Sequence, residues 1–342
     1  MRESLQFETE RLARSWERHD QSLLRDYLVA DVEDPRLNVQ SLITRHFLIS
    51  RVAPGSFSEL MDAELRFAVV MNWFLALAKA GLSPDDWAAI GHGLRQGASN
   101  AEGWEIPAYI LALSRRLPER LSDVEVPDYF ERVLPRAAAG ADSTALLAET
   151  AGLFVDLWRQ VLDRWPAPAS RPRVLEVACG SANDYRFFAA CGLPRLMDYT
   201  GLDLCQKNVD NARAMFPGAR FERGNVFAIQ SPDRAWNCLL AHDLFEHLSV
   251  EGLEAALQEV CRVTADSLVL SFFNMEEVPD HVVRPVEDYH WNTLAVARVR
   301  ARLAAEGFEG RVVNIGAFLR WAVPGAPTHN PNAYTFLMDR HG

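Results

Sequence analysis

Apolar positions recur at two different periods along this 342-residue chain. In the first half the period is helical. Leu146, Leu147, Phe154, Leu157, Trp158, Val161 and Leu162 repeat at the spacing of one helix face within Ala141–Trp165. Leu5–Leu28 reads as a charged, amphipathic helix, and Met61–Lys79 as a more apolar one expected at the centre of its unit. Ser83-Pro84-Asp85-Asp86 supplies a helix start, with a serine cap, proline at the first helical position and acids in the first turn. Beyond Trp165–Pro172, a proline-rich break, the pattern changes. Short apolar runs predict strands near 173–178, 199–204, 219–222, 236–241, 267–273, 311–316 and 333–339. Helical stretches near 182–191, 206–216, 250–263 and 293–306 alternate with them, and no helix is expected between the last two strands. Alternation of this kind implies an α/β fold, a doubly wound and mostly parallel sheet with helices on both faces. The expected organisation is a helical unit at 1–165 followed by the α/β unit at 166–342.

Composition narrows the function classes. The formal net charge of −11 disfavours a broad phosphate-binding surface, so nucleic acid is not expected as a partner. The five cysteines form no Cys-x-x-Cys pair and have no histidine at zinc spacing; they read as buried thiols of a reducing, cytoplasmic compartment. The first residues contain no apolar signal core. The longest apolar run, Phe67–Ala78, is interrupted by Asn72 and is too short to span a membrane.

The chemistry concentrates at Arg173–Asp184. Val174, Leu175 and Val177 form a short strand, the chain turns at Cys179-Gly180-Ser181, and a helix starts near Ala182. Glycine lets a backbone approach a ligand, and a helix start offers free N–H groups. Tyr199-Thr-Gly-Leu-Asp203-Leu204 follows as a second strand ending in an acid. That acid suits a carboxylate that binds ribose hydroxyls, with capping of the helix near 206 as the alternative.

These segments resemble the class I S-adenosylmethionine (SAM)-dependent methyltransferases. The first family motif, Asp/Glu-x-Gly-x-Gly-x-Gly, stands here as Glu176-Val-Ala178-Cys-Gly180-Ser-Ala182, with alanine at two glycine positions. The second matches at Gly201-Leu-Asp203, the third at Phe221-Glu-Arg-Gly224-Asn225-Val226, and the fourth at Ala235–Leu248, ending His242-Asp243-Leu-Phe-Glu246-His247-Leu248. The resemblance spans about residues 165–342 and implies a Rossmann-like seven-stranded sheet with an antiparallel final hairpin and an N-terminal all-α cap. It implies SAM as cofactor, contacted by Glu176, Ala178, Gly180, Asn183, Tyr185, Asp203, Leu204, Asn225, Val226 and His242. Asp184 reads as a helix-start acid.

Candidate catalytic groups are His247, His290 and Tyr289, with Asn274 and Trp291 as substrate contacts; each has a structural alternative as a packed or hydrogen-bonded loop residue. No metal is expected, because His242, Asp243 and His247 lack a further ligand. The resemblance implies SN2 methyl transfer to a small molecule, with the helical half as lid, substrate platform or homodimer surface. Met61–Lys79 is expected to meet Glu287–Asn292 over the crevice. Two alternatives stay open: chemistry at the aminocarboxypropyl arm, including azetidine-2-carboxylate synthesis, which releases methylthioadenosine, and SAM binding without catalysis.

Overall fold

A computed structural model of the chain describes residues 2–18, 37–52, 58–115, 120–121, 124–163 and 168–341. Seven strands form one sheet: β1 (Arg173–Val177), β2 (Asp198–Asp203), β3 (Arg220–Arg223), β4 (Trp236–His242), β5 (Thr264–Phe272), β6 (Phe308–Asn314) and β7 (Tyr334–Arg340). Their order is β6-β7-β5-β4-β1-β2-β3. Strands β1 to β5 are parallel, and β7 is antiparallel to both β5 and β6. The strand order reverses between β1 and β4, where an α/β sheet opens a crevice at its carboxyl edge.

Side-chain alternation sorts the strands onto two cores. Val174, Leu240, Val269 and Leu337 join one buried cluster; Leu175, Leu239, Leu270 and Phe336 join the other. On the second face pack α10 (Val250–Val263) and α11 (Val296–Ala305). On the first lie α8 (Tyr185–Cys191) and α9 (Gln206–Met215), together with helices from the first half of the chain.

The first half contributes α1 (Glu3–Arg18), α2 (Val39–Val52), α3 (Ser58–Lys79), α4 (Pro84–Gln96), α5 (Ala108–Ser114), α6 (Tyr129–Ala138) and α7 (Ser143–Leu162), with two two-residue ribbons at Asn100–Ala101/Trp104–Glu105 and Arg120–Leu121/Val124–Glu125. Ser83 caps α4: its hydroxyl accepts from the Asp86 N–H, and the Asp86 carboxylate accepts from the Ser83 N–H. Helix α3 packs on α2 and α7; α2 lies directly on β5 and β7, and α7 on α8. One apolar core therefore runs from Phe67 and Phe74 through Trp158 and Phe187 to the sheet. Helix α1 goes to the opposite face, where Leu5 and Leu12 join the core with α10. Of the amphipathic stretch expected at Leu5–Leu28, residues 19–28 lie outside the described residues, as do 165–167 of the proline-rich break.

One element departs from expectation. A helix, α12 (Ile315–Ala322), stands between β6 and β7. The Asn314 side chain caps it at the Ala317 N–H (2.7 Å), and Ile315 and Leu319, four residues apart, are buried together.

Candidate functional site

A cavity of about 460 Å³ lies at the carboxyl ends of β1, β2 and β4. Glu176, Ala178, Gly180, Asn183, Asp203, Leu204, Asn225, Val226, His242 and His247 all line it, so most of the positions singled out in the sequence converge.

The floor is the loop after β1. Ala178, Gly180 and Ala182 take φ of 57°, 54° and 66°, all in the left-handed region. The two alanines thus adopt a backbone that glycine would adopt freely, at about 1–2 kcal/mol each. At Gly180 an added Cβ would stand 3.1 Å from Asn183 Nδ2, so the loop presents bare backbone there. Asp203 pins the loop: its Oδ2 accepts from the Gly180 N–H at 2.9 Å, while Oδ1 accepts from Cys205 N–H (2.9 Å) and Asn208 Nδ2 (3.1 Å). Asp203 therefore orders both the loop and the entry to α9, and still lines the cavity.

Buried charge surrounds this floor. Glu176 accepts from the Tyr199 hydroxyl at 2.5 Å, and burial, with Asp184 nearby, pushes its carboxyl up to about 8. His242 ends β4. Its Nδ1 lies 2.6 Å from Asp184 Oδ2, and its Nε2 lies 3.1 Å from Thr44 Oγ1 of α2. Burial opposes the imidazolium, but Asp184 prevails and raises His242 to about 9. Asp184 is held below the usual carboxylate range against its own desolvation, with His242 as the main cause.

The other end of the cavity is aromatic. His247 Nδ1 lies 3.1 Å from the His290 carbonyl, which can only accept. The hydrogen is thus on Nδ1, and Nε2 of the neutral ring carries a lone pair. Burial holds His247 below its ordinary value. Trp16, Phe273, Tyr289 and Trp291 surround its ring at 5.3–6.0 Å between centroids. Glu246 builds this nest from behind, its Oε1 accepting from the Phe273 and Asn274 N–H groups at 2.6 and 3.2 Å.

Helix α1 covers the cavity with Leu12 and Trp16. Glu8 accepts from the Ser249 N–H and hydroxyl, both at 2.6 Å; Thr9 accepts from Asn225 Nδ2 at 2.9 Å; Glu17 accepts from the Gln206 N–H at 3.2 Å; and Arg18 pairs with Asp288 at 2.7 Å. The helix that meets the 287–292 loop is accordingly α1 and not Met61–Lys79, whose apolar residues are enclosed between α2 and α7.

Five expected contacts stand outside the cavity lining. Tyr185 is packed in the core against Tyr199, Phe216 and Phe221. Asn274 ties two loops, its Nδ2 donating to the Asn292 carbonyl (2.9 Å) and Thr293 Oγ1 (3.0 Å). Tyr289 and Trp291 are walls of the His247 nest, and His290 acts through its backbone carbonyl. Asn225 lines the cavity, yet its side-chain oxygen accepts from the Phe227 N–H at 2.9 Å. Sequence reasoning missed Leu12, Trp16, Asn38 and Ser41 in the lining and gave Asp184 no partner. A cue existed in α2, where Ser41, Thr44 and Arg45 fall at the spacing of one helix face.

The donor set suits a cation with a nucleoside. Glu176, Asp184, Asp203 and Asp243 line the cavity, and Arg186 is the one arginine or lysine among the described lining residues. The glycine cradle and the acid after β2 are where an adenosine would be held. Among the described residues no cluster of three His, Cys, Asp or Glu could hold a metal ion. No described helix is long and apolar enough to cross a membrane.

Residues 174–267 match the family model described as a methyltransferase domain. No curated protein matches the chain. Among solved structures, it is similar to an S-adenosylmethionine-dependent methyltransferase from Mesorhizobium loti (17% identity, 54% of this chain and 96% of that one, TM-score 0.40). Similar too are a SAM-dependent methyltransferase from Methanosarcina mazei (11%, 53% and 96%, TM-score 0.40) and the [4+2]-cyclase SpnF (18%, 57% and 82%, TM-score 0.37).

Proposed function

We propose that the chain, whose residues 174–267 match a methyltransferase domain, binds SAM and methylates a small molecule at an uncharged heteroatom that bears a proton, with His247 as general base. The observation that carries this reading is the pairing, in one cavity, of the loop floor with a neutral histidine of defined tautomer. The cavity volume falls in the roughly 300–1,000 Å³ range of small-ligand sites. When bound, SAM supplies an activated carbon on a sulfonium that a nucleophile displaces in one step.

The chain's residues supply position and dryness. Asp203 and the Gly180 backbone fix the nucleoside end, Glu176, pushed up to about 8, presents a neutral carboxyl at the floor, and Asp184 is held as a carboxylate by His242. Leu12, Trp16 and Leu248 close the acceptor end and exclude water. Nε2 of His247 takes the acceptor's proton as the new bond forms, and the Nδ1–H hydrogen bond to the His290 carbonyl steadies the resulting imidazolium. An acceptor with an apolar body and an uncharged O–H, N–H or S–H group fits these walls. The protein is to be incubated with SAM and candidate acceptors, and the products analysed by mass spectrometry. S-adenosylhomocysteine with an acceptor heavier by one methylene is the expected result. Methylthioadenosine in its place overturns the methyl-transfer reading.

A further inference from the structure

We propose that His242 is a positioning residue for the cofactor loop: clamped between Asp184 and Thr44, it holds the loop 178–184, with its left-handed residues at 178, 180 and 182, in place and ties it to helix α2. The loop needs such a clamp because two of its three left-handed residues, Ala178 and Ala182, have side chains that disfavour this backbone. Near the start of the loop, the Gly180 N–H to Asp203 (2.9 Å) and the Cys179 N–H to the Leu202 carbonyl (3.1 Å) secure it to β2. Past Ala182, Asp184 reaches His242 on β4 at 2.6 Å, and His242 reaches Thr44 at 3.1 Å. The chain of hydrogen bonds continues from Thr44 to Ser271 (3.3 Å) and on to Thr335 (3.2 Å), all three buried.

Helix α2 meets the same point with more than Thr44. The Ser41 hydroxyl and the positive charge of Arg45 both favour the charged form of Asp184. Arg45 is itself fixed, paired with Glu64 of α3 and stacked 4.2 Å over the Phe187 ring of α8. The acidic groups that bear on His242 are Asp184, Glu176 and Asp243; each, where ionised, favours the imidazolium, which donates on both sides. The loop, β4 and the helical half thus share one buried junction. A chain that kept glycine at 178 and 182 would depend on it less.

Hydrogen exchange and SAM titration of the full-length protein test the clamp. His242→Gln keeps a side chain that hydrogen-bonds but removes the charge. It should speed amide exchange across 178–184 in the ligand-free protein and weaken SAM binding by about tenfold or more, the loss expected for a buried charged hydrogen bond. In an Ala178→Gly/Ala182→Gly background the same substitution should cost at most about threefold, since glycine removes the strain the clamp opposes. Thr44→Val, near-isosteric, should raise exchange in the loop while leaving β2 protected. Equal losses in both backgrounds, or unchanged loop exchange in both His242→Gln and Thr44→Val, overturn the proposal. The inference rests on this cavity being the SAM site, but exchange is read without ligand. A wild-type protein that bound no SAM would overturn the cofactor assignment and leave the exchange result to judge the clamp.

Discussion

The cofactor end of the cavity and its His247 end are walled by different kinds of segment. At the first, residues 176–184, 202–208 and 224–227 come from three strands consecutive in the chain and adjacent in the sheet, and the working groups are backbone amides and buried carboxylates. At the second, Leu12 and Trp16 come from α1, while Phe273, Tyr289 and Trp291 lie far along the chain, beyond β5, and the central group is one imidazole inside aromatic rings. The first end is a local solution, a strand that turns sharply and is pinned by the acid of the next strand. The second exists only after α1 has docked across the sheet. On the proposed function, the floor sets which cofactor is held and the roof which acceptor enters.

Changing one group at each end should separate the two. His247→Gln should lower kcat by roughly 10²–10⁴-fold with SAM affinity little changed, because a general base acts only on the acceptor's proton. Steady-state kinetics alongside calorimetry check this, and equal losses in kcat and SAM binding would place His247 at the cofactor end. Asp203→Ala should do the reverse, weakening SAM by about ten- to a hundredfold. The structure adds a cost in stability, since Gly180, Cys205 and Asn208 all lose the same acceptor. Thermal unfolding followed by circular dichroism reads it.

Smaller effects follow at the roof. Trp16→Ala should raise the acceptor KM by about three- to tenfold while shifting SAM affinity less, since one wall of the His247 nest is removed and the floor is untouched. The Arg18–Asp288 pair is partly exposed, so Asp288→Asn should move either constant by no more than about threefold. A larger change from Asp288→Asn would mean that the docking of α1 hinges on that pair.

The floor should also set the response to pH. His242 is raised to about 9, so the stability it contributes is complete below its ordinary value of 6.5 and is lost as pH rises through 9. Glu176 and Glu246 are raised to about 8, so the folded protein keeps protons that the unfolded chain releases near 4.5. The glutamates make the folded state bind more protons than the unfolded state up to about pH 8 and His242 does so from about 6.5 to 9, so stability should fall most steeply between about pH 6.5 and 8. Melting temperatures should drop by a few degrees or more. A flat profile would mean that these groups are not charged and neutral as their surroundings dictate.

Much of the architecture was legible because it depends on local periodicity. The strand–helix alternation after residue 172, the glycine turn at 180 and the acid at 203 are properties of short segments. The helix at Ile315–Ala322 was missed because its signal is two turns long, an asparagine cap and two buried apolar residues, and is easily absorbed into the adjoining strand. Tyr185 illustrates the opposite failure. Its position beside the motif suggested the pocket, but Tyr199 of β2, Phe221 of β3 and Phe216, just past α9, hold it in the core.

What the sequence determined by itself was the kind of sheet, the corner after β1 and the carboxylates at the strand ends, since period-two burial and turn chemistry act over a few residues. Only the tertiary structure decided that α1 roofs the cavity, that His242 meets both Asp184 and Thr44, and that the two alanines at glycine positions take a left-handed backbone. The first two outcomes rest on contacts between residues 58 to 270 positions apart. Packing and buried charge pairing bring such residues together, and no local pattern records which distant partner a side chain will meet.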